Sequence, residues 1–248
     1  YPNAGEGGYT PRELYEIVRC DGTITAYERL LDGTTDIVFA AAPSQAQLEA
    51  AAEAGMEYHL TPIGREAFVF FVNSRNPVTE LTVDEIQGIY TGEITNWREV
   101  GGEDQSIRPF QRAEDSGSQS ALERLMGGLP LVEPELEDRG GTMGGIIQEV
   151  ASYRNYRNAI GFSFRFYATE MVESGDIRLL ALDGVEPTRE TIRDESYPIT
   201  ETFYAVTAAP VGEPPLQERD PTAAAFLDWI LSDQGQQLIE QTGYVALE

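Results

Sequence analysis

Residues 107–126 read Ile-Arg-Pro-Phe-Gln-Arg-Ala-Glu-Asp-Ser-Gly-Ser-Gln-Ser-Ala-Leu-Glu-Arg-Leu-Met. The stretch divides into three parts. Residues 107–111 read as a strand, residues 115–118 as a turn, and a helix runs from about residue 119 to residue 126. The same succession of short apolar runs and helical patterns continues along the chain, which indicates an α/β architecture.

Working outward, residues 67–72 (Ala-Phe-Val-Phe-Phe-Val) form the strongest strand pattern. Residues 36–41 are a short apolar run of the kind buried in parallel sheets. Residues 159–164 read as a strand, and residues 197–206 are extended. Residues 57–60, which hold His59, also read as a strand, with the histidine at the surface or an edge. Helix starts are marked by capping boxes at Thr25 with Glu28 and Thr82 with Glu85, and by Ser44 with Gln47. These predict helices over 26–31, from 82 to Gly92, and from 44 to Gly55. Ile86, Ile89 and Tyr90 share one face of the second. Residues 142–145 open a helix over 146–151. After a Pro- and Glu-rich loop at 210–221, two helices over 222–231 and 233–241 close the chain.

The chain has 248 residues and a net charge of −25, and all 17 of its basic residues are arginine. Such a surface repels nucleic acid and anionic lipid headgroups, and both partner classes are set aside. No apolar run approaches the roughly 18 residues a membrane helix needs. Cys20 is the single cysteine, so no internal disulfide forms, and it reads as a buried structural thiol. With His59 the single histidine, a His-rich metal site is excluded and a Ser-His-Asp triad has little to build on. No Gly-x-Ser-x-Gly elbow, Walker loop, dinucleotide fingerprint or EF-hand spacing occurs. The sequence calls for no metal and no cofactor, and it reads foremost as a binding protein; the enzyme alternatives are a paired-carboxylate hydrolase, for which no pair is picked out, and an esterase or phosphatase using Ser116 or Ser118, which the lack of histidine support argues against.

Candidate binding chemistry returns to the opening stretch. A strand carries Arg112 to its end, and Ser116-Gly117-Ser118 leads directly into a helix. A helix N-terminus has unpaired N–H groups and a partial positive charge, which suits an anion. The two serines add hydroxyl donors, Gly117 permits close backbone approach, and Arg112 offers a planar fork of donors. Glu114 is placed to hold Arg112. The competing reading is an ordinary capped helix beside a surface arginine. Two further helix starts have the same chemistry and the same competing reading: residues 21–25, with Thr23 and Thr25, and residues 142–145, with Thr142 and Gly144.

Four stretches resemble one family. Residues 81–97 (LTVDEIQGIYTGEITNW), 112–118 (RAEDSGS), 34–43 (TTDIVFAAAP) and 230–247 (ILSDQGQQLIEQTGYVAL) are similar, in order, to segments of the phosphate-binding proteins of ABC importers. The resemblance implies a two-lobe type 2 periplasmic-binding-protein fold with a two-strand hinge and an interlobe cleft. The first lobe would hold residues 1–72 and 202–248, the second residues 73–201. It implies that Arg112, Ser116, Gly117 and Ser118 bind a phosphate-like oxyanion, that Thr23 adds a hydroxyl from the first lobe, and that Glu114 pairs with the arginine. Thr25, Thr142 and Gly144 would border the cleft. It also implies a monomer outside the cell or in its envelope, secreted or anchored, serving an ABC permease or a sensor. Two departures stand out. Ala41 occupies the place of the family's proton-accepting aspartate. The family's first strand and Gly/Ser/Thr loop have no counterpart from Tyr1 onward. An extracellular sensor or interaction module of the same fold, without tight anion binding, is the alternative.

Overall fold

β-branched and aromatic residues crowd the end of the stretch from 56 to 73, at residues 68–72, and the chain folds around the whole stretch as one long strand. The computed structural model describes residues 17–113, 116–133, 139–140, 157–171 and 176–247. Its elements begin with α1 (Thr23–Leu31), β1 (Val38–Ala40), α2 (Gln45–Glu53), β2 (Met56–Asn73), β3 (Glu80–Leu81) and α3 (Val83–Thr91). They continue with β4 (Arg108–Pro109), β5 (Gln111–Arg112), α4 (Gly117–Met126), β6 (Arg139–Gly140) and β7 (Ala159–Phe164). The last are β8 (Ile177–Leu179), β9 (Ala181–Leu182), α5 (Arg189–Arg193), β10 (Thr200–Pro210), α6 (Leu216–Arg219), α7 (Pro221–Leu231) and α8 (Asp233–Gln241).

The main sheet has the order β1-β10-β2-β7-β4, with β8 also paired to β2. β2 changes partner midway. From Met56 to Ala67 it runs antiparallel to β10, and from Phe68 to Val72 antiparallel to β7. The register of β10 shifts between Phe203 and Tyr204, where an extra residue bends a strand and raises its twist. The result is a two-lobe α/β molecule: one lobe is built on β1, β10 and the start of β2, the other on the end of β2 with β7, β8 and β4.

Side-chain period decides the layers. Ala67 to Val72 are all 0% exposed, because both faces of β2 are covered there. Phe68, Phe70, Tyr90 and Phe162 pack ring against ring in that core. In the other lobe, Tyr27, Leu30, Val38, Ala40 and Val206 form a cluster on one face of the sheet, and Ile63, Ala205, Leu227 and Ile230 form another on the opposite face. Thus α1 lies against one side and α7 with α8 against the other.

Several expectations are corrected. α1 starts at Thr23 rather than at 26, with Gly22 as its N-cap and no capping side chain, so the Thr25–Glu28 box does not form. Burial of Tyr27 and Leu30 under β1 fixes the helix. β1 is a short antiparallel partner of β10 with Phe39 turned outward, not a doubly covered parallel strand. The run at 107–111 breaks into β4 and β5 around Phe110. Cys20 is exposed, since residues 17–20 precede α1 with every side chain at the surface. α6 interrupts the 210–221 loop. The capping boxes at Ser44–Gln47 and Thr82–Glu85 form as read. His59 is half-buried on β2. The helix expected over 146–151 lies outside the described residues.

Candidate functional site

α4 begins at Gly117, so Gly117 and Ser118 belong to its first turn rather than to a turn preceding a helix from 119. Ser116 is its N-cap, and its hydroxyl accepts the Gln119 N–H at 3.3 Å. The first helical bond runs from Ser120 N–H to Ser116 C=O at 2.9 Å. The N–H groups of Gly117 and Ser118 therefore precede the helical ladder and lack an intrahelical acceptor. Ser116, Ser118 and Ser120 are nearly fully buried, and the Ser120 hydroxyl has no hydrogen-bond partner among the described residues.

Arg112 ends β5 and is held on two sides. Its Nη1 donates to Ser118 Oγ at 2.8 Å, and its backbone N–H donates to Gln119 Oε1 at 2.9 Å. Gln119 Nε2 donates to Gln111 Oε1 at 3.3 Å, and Gln111 Nε2 donates to the Val132 carbonyl at 2.6 Å. This chain of amides fixes the strand end against the helix start. Neither glutamine was singled out by the sequence, because an amide three residues into a helix carries no signal until the strand is known to lie beside it. Arg112 Nε makes no hydrogen bond among the described residues. Burial pulls the guanidinium's pKa down, and the neighbouring Tyr167 opposes this. A guanidinium remains a cation in either case.

Thr23 comes from the other lobe. It opens α1, whose first backbone bond runs from Ala26 N–H to Gly22 C=O. No side chain caps that end, so the N–H groups of residues 23–25 are also unpaired within the helix. The two helix starts abut: a Cβ placed on Gly117 would lie 3.2 Å from Thr23 Oγ1 and 3.8 Å from Phe164 Cε2. Glycine at 117 is what allows this approach. Neither α1 nor α4 carries an acidic residue in its first turn, whereas α3 carries Asp84 and Glu85. Asp21, just before α1, is paired with Arg29 at 3.0 Å, and the first turns themselves add no carboxylate to oppose an anion at these dipole ends. Nearby, Arg124 on α4 pairs with Glu201 on β10 at 3.1 Å.

Thr25 lies exposed in the first turn of α1. Glu114, Thr142 and Gly144 lie outside the described residues. Ala41 follows β1, and its carbonyl accepts the Tyr27 hydroxyl at 2.8 Å. Burial raises the Tyr27 pKa, so that hydroxyl stays protonated. Among the described residues, no group of three His, Cys, Asp or Glu is arranged to hold a metal ion.

A sheet shared between two α/β lobes, with helix N-termini from each meeting at one place, defines the architecture of a two-lobe solute-binding protein. The family model of the PBP superfamily domain matches residues 16–234, and the chain belongs to that superfamily. Among curated relatives, the phosphate-binding protein PstS of Borreliella burgdorferi is 26% identical over 193 residues, covering 76% of this chain and 66% of the relative. The PstS of Bacillus subtilis is 26% identical over 230 residues, covering 92% of this chain and 70% of the relative. The chain thus spans about two thirds of the length of these relatives. Among solved structures, a Clostridium perfringens substrate-binding protein named for a phosphate ABC transporter, solved with bound phosphate, superposes with a TM-score of 0.69 at 25% identity. That match covers 92% of this chain and 85% of the other. An ABC-type phosphate transport receptor from Vibrio cholerae shares the fold, with a TM-score of 0.65 at 23% identity over 90% and 85% of the two chains.

Proposed function

We propose that this chain is a non-enzymatic solute-binding protein that holds a small tetrahedral oxyanion, phosphate foremost, between its lobes. The observation that carries the reading is the meeting of two helix N-termini, with Thr23 Oγ1 against Gly117 and Arg112 bonded to Ser118. Unpaired N–H groups, three hydroxyls and a guanidinium converge there, which is the donor set a tetrahedral anion requires. The overall acidity is compatible with this. At physiological salt the Debye length is about 8 Å, so distant surface carboxylates are screened while the local donors act at contact.

In this reading residues 1–72 and 202–248 form one lobe and residues 73–201 the other, and β2 and β10 carry the hinge. Thr23 closes from the first lobe onto Ser116, Gly117, Ser118 and Arg112 of the second. Glu114 steadies the arginine, and Thr25, Thr142 and Gly144 border the cleft. The chain works as a monomer outside the cell or in its envelope and hands its anion to an ABC permease. The names of the relatives support that partner and that ligand. Among the described residues no helix is long and apolar enough to cross a membrane.

Ala41 favours a second reading, an extracellular sensor or interaction module of the same fold. No side-chain acceptor stands at that position, and its carbonyl is already engaged by Tyr27.

Titration calorimetry with phosphate and with sulfate separates the two. The first reading expects saturable phosphate binding that Arg112→Ala weakens. Two charge-assisted bonds at about 1.5–3 kcal/mol each correspond to a loss of roughly a hundredfold to ten-thousandfold. The absence of binding heat at millimolar oxyanion in the wild type sinks it and leaves the second.

A further inference from the structure

A second surface lies away from the anion site, on the lobe face covered by α7 and α8. Phe39 is turned outward from the β1 edge and is 44% exposed. Its ring meets Phe226 edge-on at 6.1 Å, and Phe226 stacks on Trp229 at 6.2 Å. Phe226, Trp229 and Leu238 are each between 38% and 46% exposed. Isolated exposed apolar residues need no explanation, but a contiguous row of large ones marks an interaction site. The row borders a cavity of about 210 Å³ floored by Ile63 and Phe203 and walled by Leu238. That is below the roughly 300 Å³ at which pockets for drug-sized ligands begin, and enough for one large apolar side chain.

Charge identifies the occupant. None of the residues lining the groove is an arginine or lysine, and the arginines that reach α8, Arg189 and Arg193, are engaged with Glu240 near its C-terminal end. Asp228, next to Trp229 in α7, and Asp233, at the start of α8, are exposed. A second copy of the chain would bring its own −25 charge to this face, and an anionic membrane is repelled for the same reason. We propose that this groove docks a basic segment of a partner protein, which inserts one bulky apolar side chain into the cavity and sets arginines or lysines against the surrounding carboxylates. This division between a buried apolar anchor and charged surroundings is the usual anatomy of a tight contact. The inference is independent of what the anion site binds.

The test uses a fluorescein-labelled amphipathic peptide of leucine and arginine, and the same peptide with glutamate for arginine, titrated with the intact protein by anisotropy. Saturable binding of the arginine peptide alone is expected, weakening as salt is raised. Asp228→Asn with Asp233→Asn, both at exposed positions, weakens it about threefold to tenfold. Leu238→Glu is the decisive variant, because it makes the protein more acidic while blocking the groove. Docking predicts at least a tenfold loss, whereas a merely electrostatic attraction predicts a gain. Absence of saturable binding, equal binding of the glutamate peptide, or unchanged binding to the Leu238→Glu variant overturns the proposal. So does sedimentation that finds a dimer dissolved by Trp229→Ala, which would assign the face to a second copy.

Discussion

Replacing Glu66 by glutamine removes a titrating group from the point where β2 passes from one lobe to the other. Glu66 is 5% exposed and stands one residue before the change of strand partner. Its Oε1 accepts the Ala67 N–H at 2.9 Å and its Oε2 the Phe166 N–H at 3.1 Å. Arg165, Arg189 and Tyr244 act on it electrostatically from the segments packed around it, and Glu201 is its cross-strand neighbour on β10. Tyr244 is itself stacked between Phe166 and Phe203. Burial outweighs the two N–H bonds and the arginines, and pushes the carboxyl from 4.5 to about 7. Between those values the folded chain keeps a proton that the unfolded chain has lost. Stability therefore falls as pH rises through this window, by about 1.4 kcal/mol per unit and about 3 kcal/mol in full. The substituted amide stays neutral at every pH. Its extra N–H donor costs about 1–3 kcal/mol if it finds no partner, but that cost does not vary with pH. Urea unfolding of both proteins from about pH 4.5 to about pH 8 isolates the effect, because the other carboxylates cancel in the difference. The Glu66→Gln variant should gain about 3 kcal/mol on the wild type across the range. A flat difference, or one that favours the wild type as pH rises, would refute the assignment of a buried, half-neutral carboxyl at this point.

Two more substitutions follow from the packing. Gly235 sits where α8 starts against the end of α7, and a Cβ there would lie 2.3 Å from the Trp229 carbonyl oxygen and 2.4 Å from that of Ile230. Both are backbone atoms, so Gly235→Ala should cost about 3 kcal/mol, lowering the melting temperature by roughly 6–12 °C; an unchanged melt would show that the α7–α8 junction yields freely. Gln119→Ala leaves the Arg112 N–H and the Gln111 side-chain carbonyl oxygen without their partner. We expect a stability loss of about 1–3 kcal/mol and, on the proposed function, about tenfold weaker phosphate binding by calorimetry; full affinity in a destabilised variant would assign Gln119 to packing alone.

The readings that held are those whose physics is local. Ser44 with Gln47 and Thr82 with Glu85 close their capping boxes across three residues, so spacing alone is enough. The largely apolar run of β7 reads as a strand from its own composition, whereas α4 begins at Gly117, two residues before the start implied by reading residues 115–118 as a turn. The Thr25–Glu28 pair has the same spacing yet forms no box. The helix there is fixed by Tyr27 and Leu30 packing against Val38, Ala40 and Val206, and it begins where that packing allows. β2 was visible only as its pieces at 57–60 and 67–72. Its full length depends on β10 covering one part and β7 the other, and neither partner is near it in sequence.

By itself, then, the sequence determined the α/β class, the starts of α2, α3, α7 and α8, and the presence of donors at Arg112, Ser116, Gly117 and Ser118, because these depend on side-chain type and short-range spacing. Only the tertiary structure decided that Thr23 lies against Gly117 and that two glutamine amides lock Arg112 to α4. Contacts of that kind depend on how the shared sheet brings distant segments together, and short-range spacing carries no record of it.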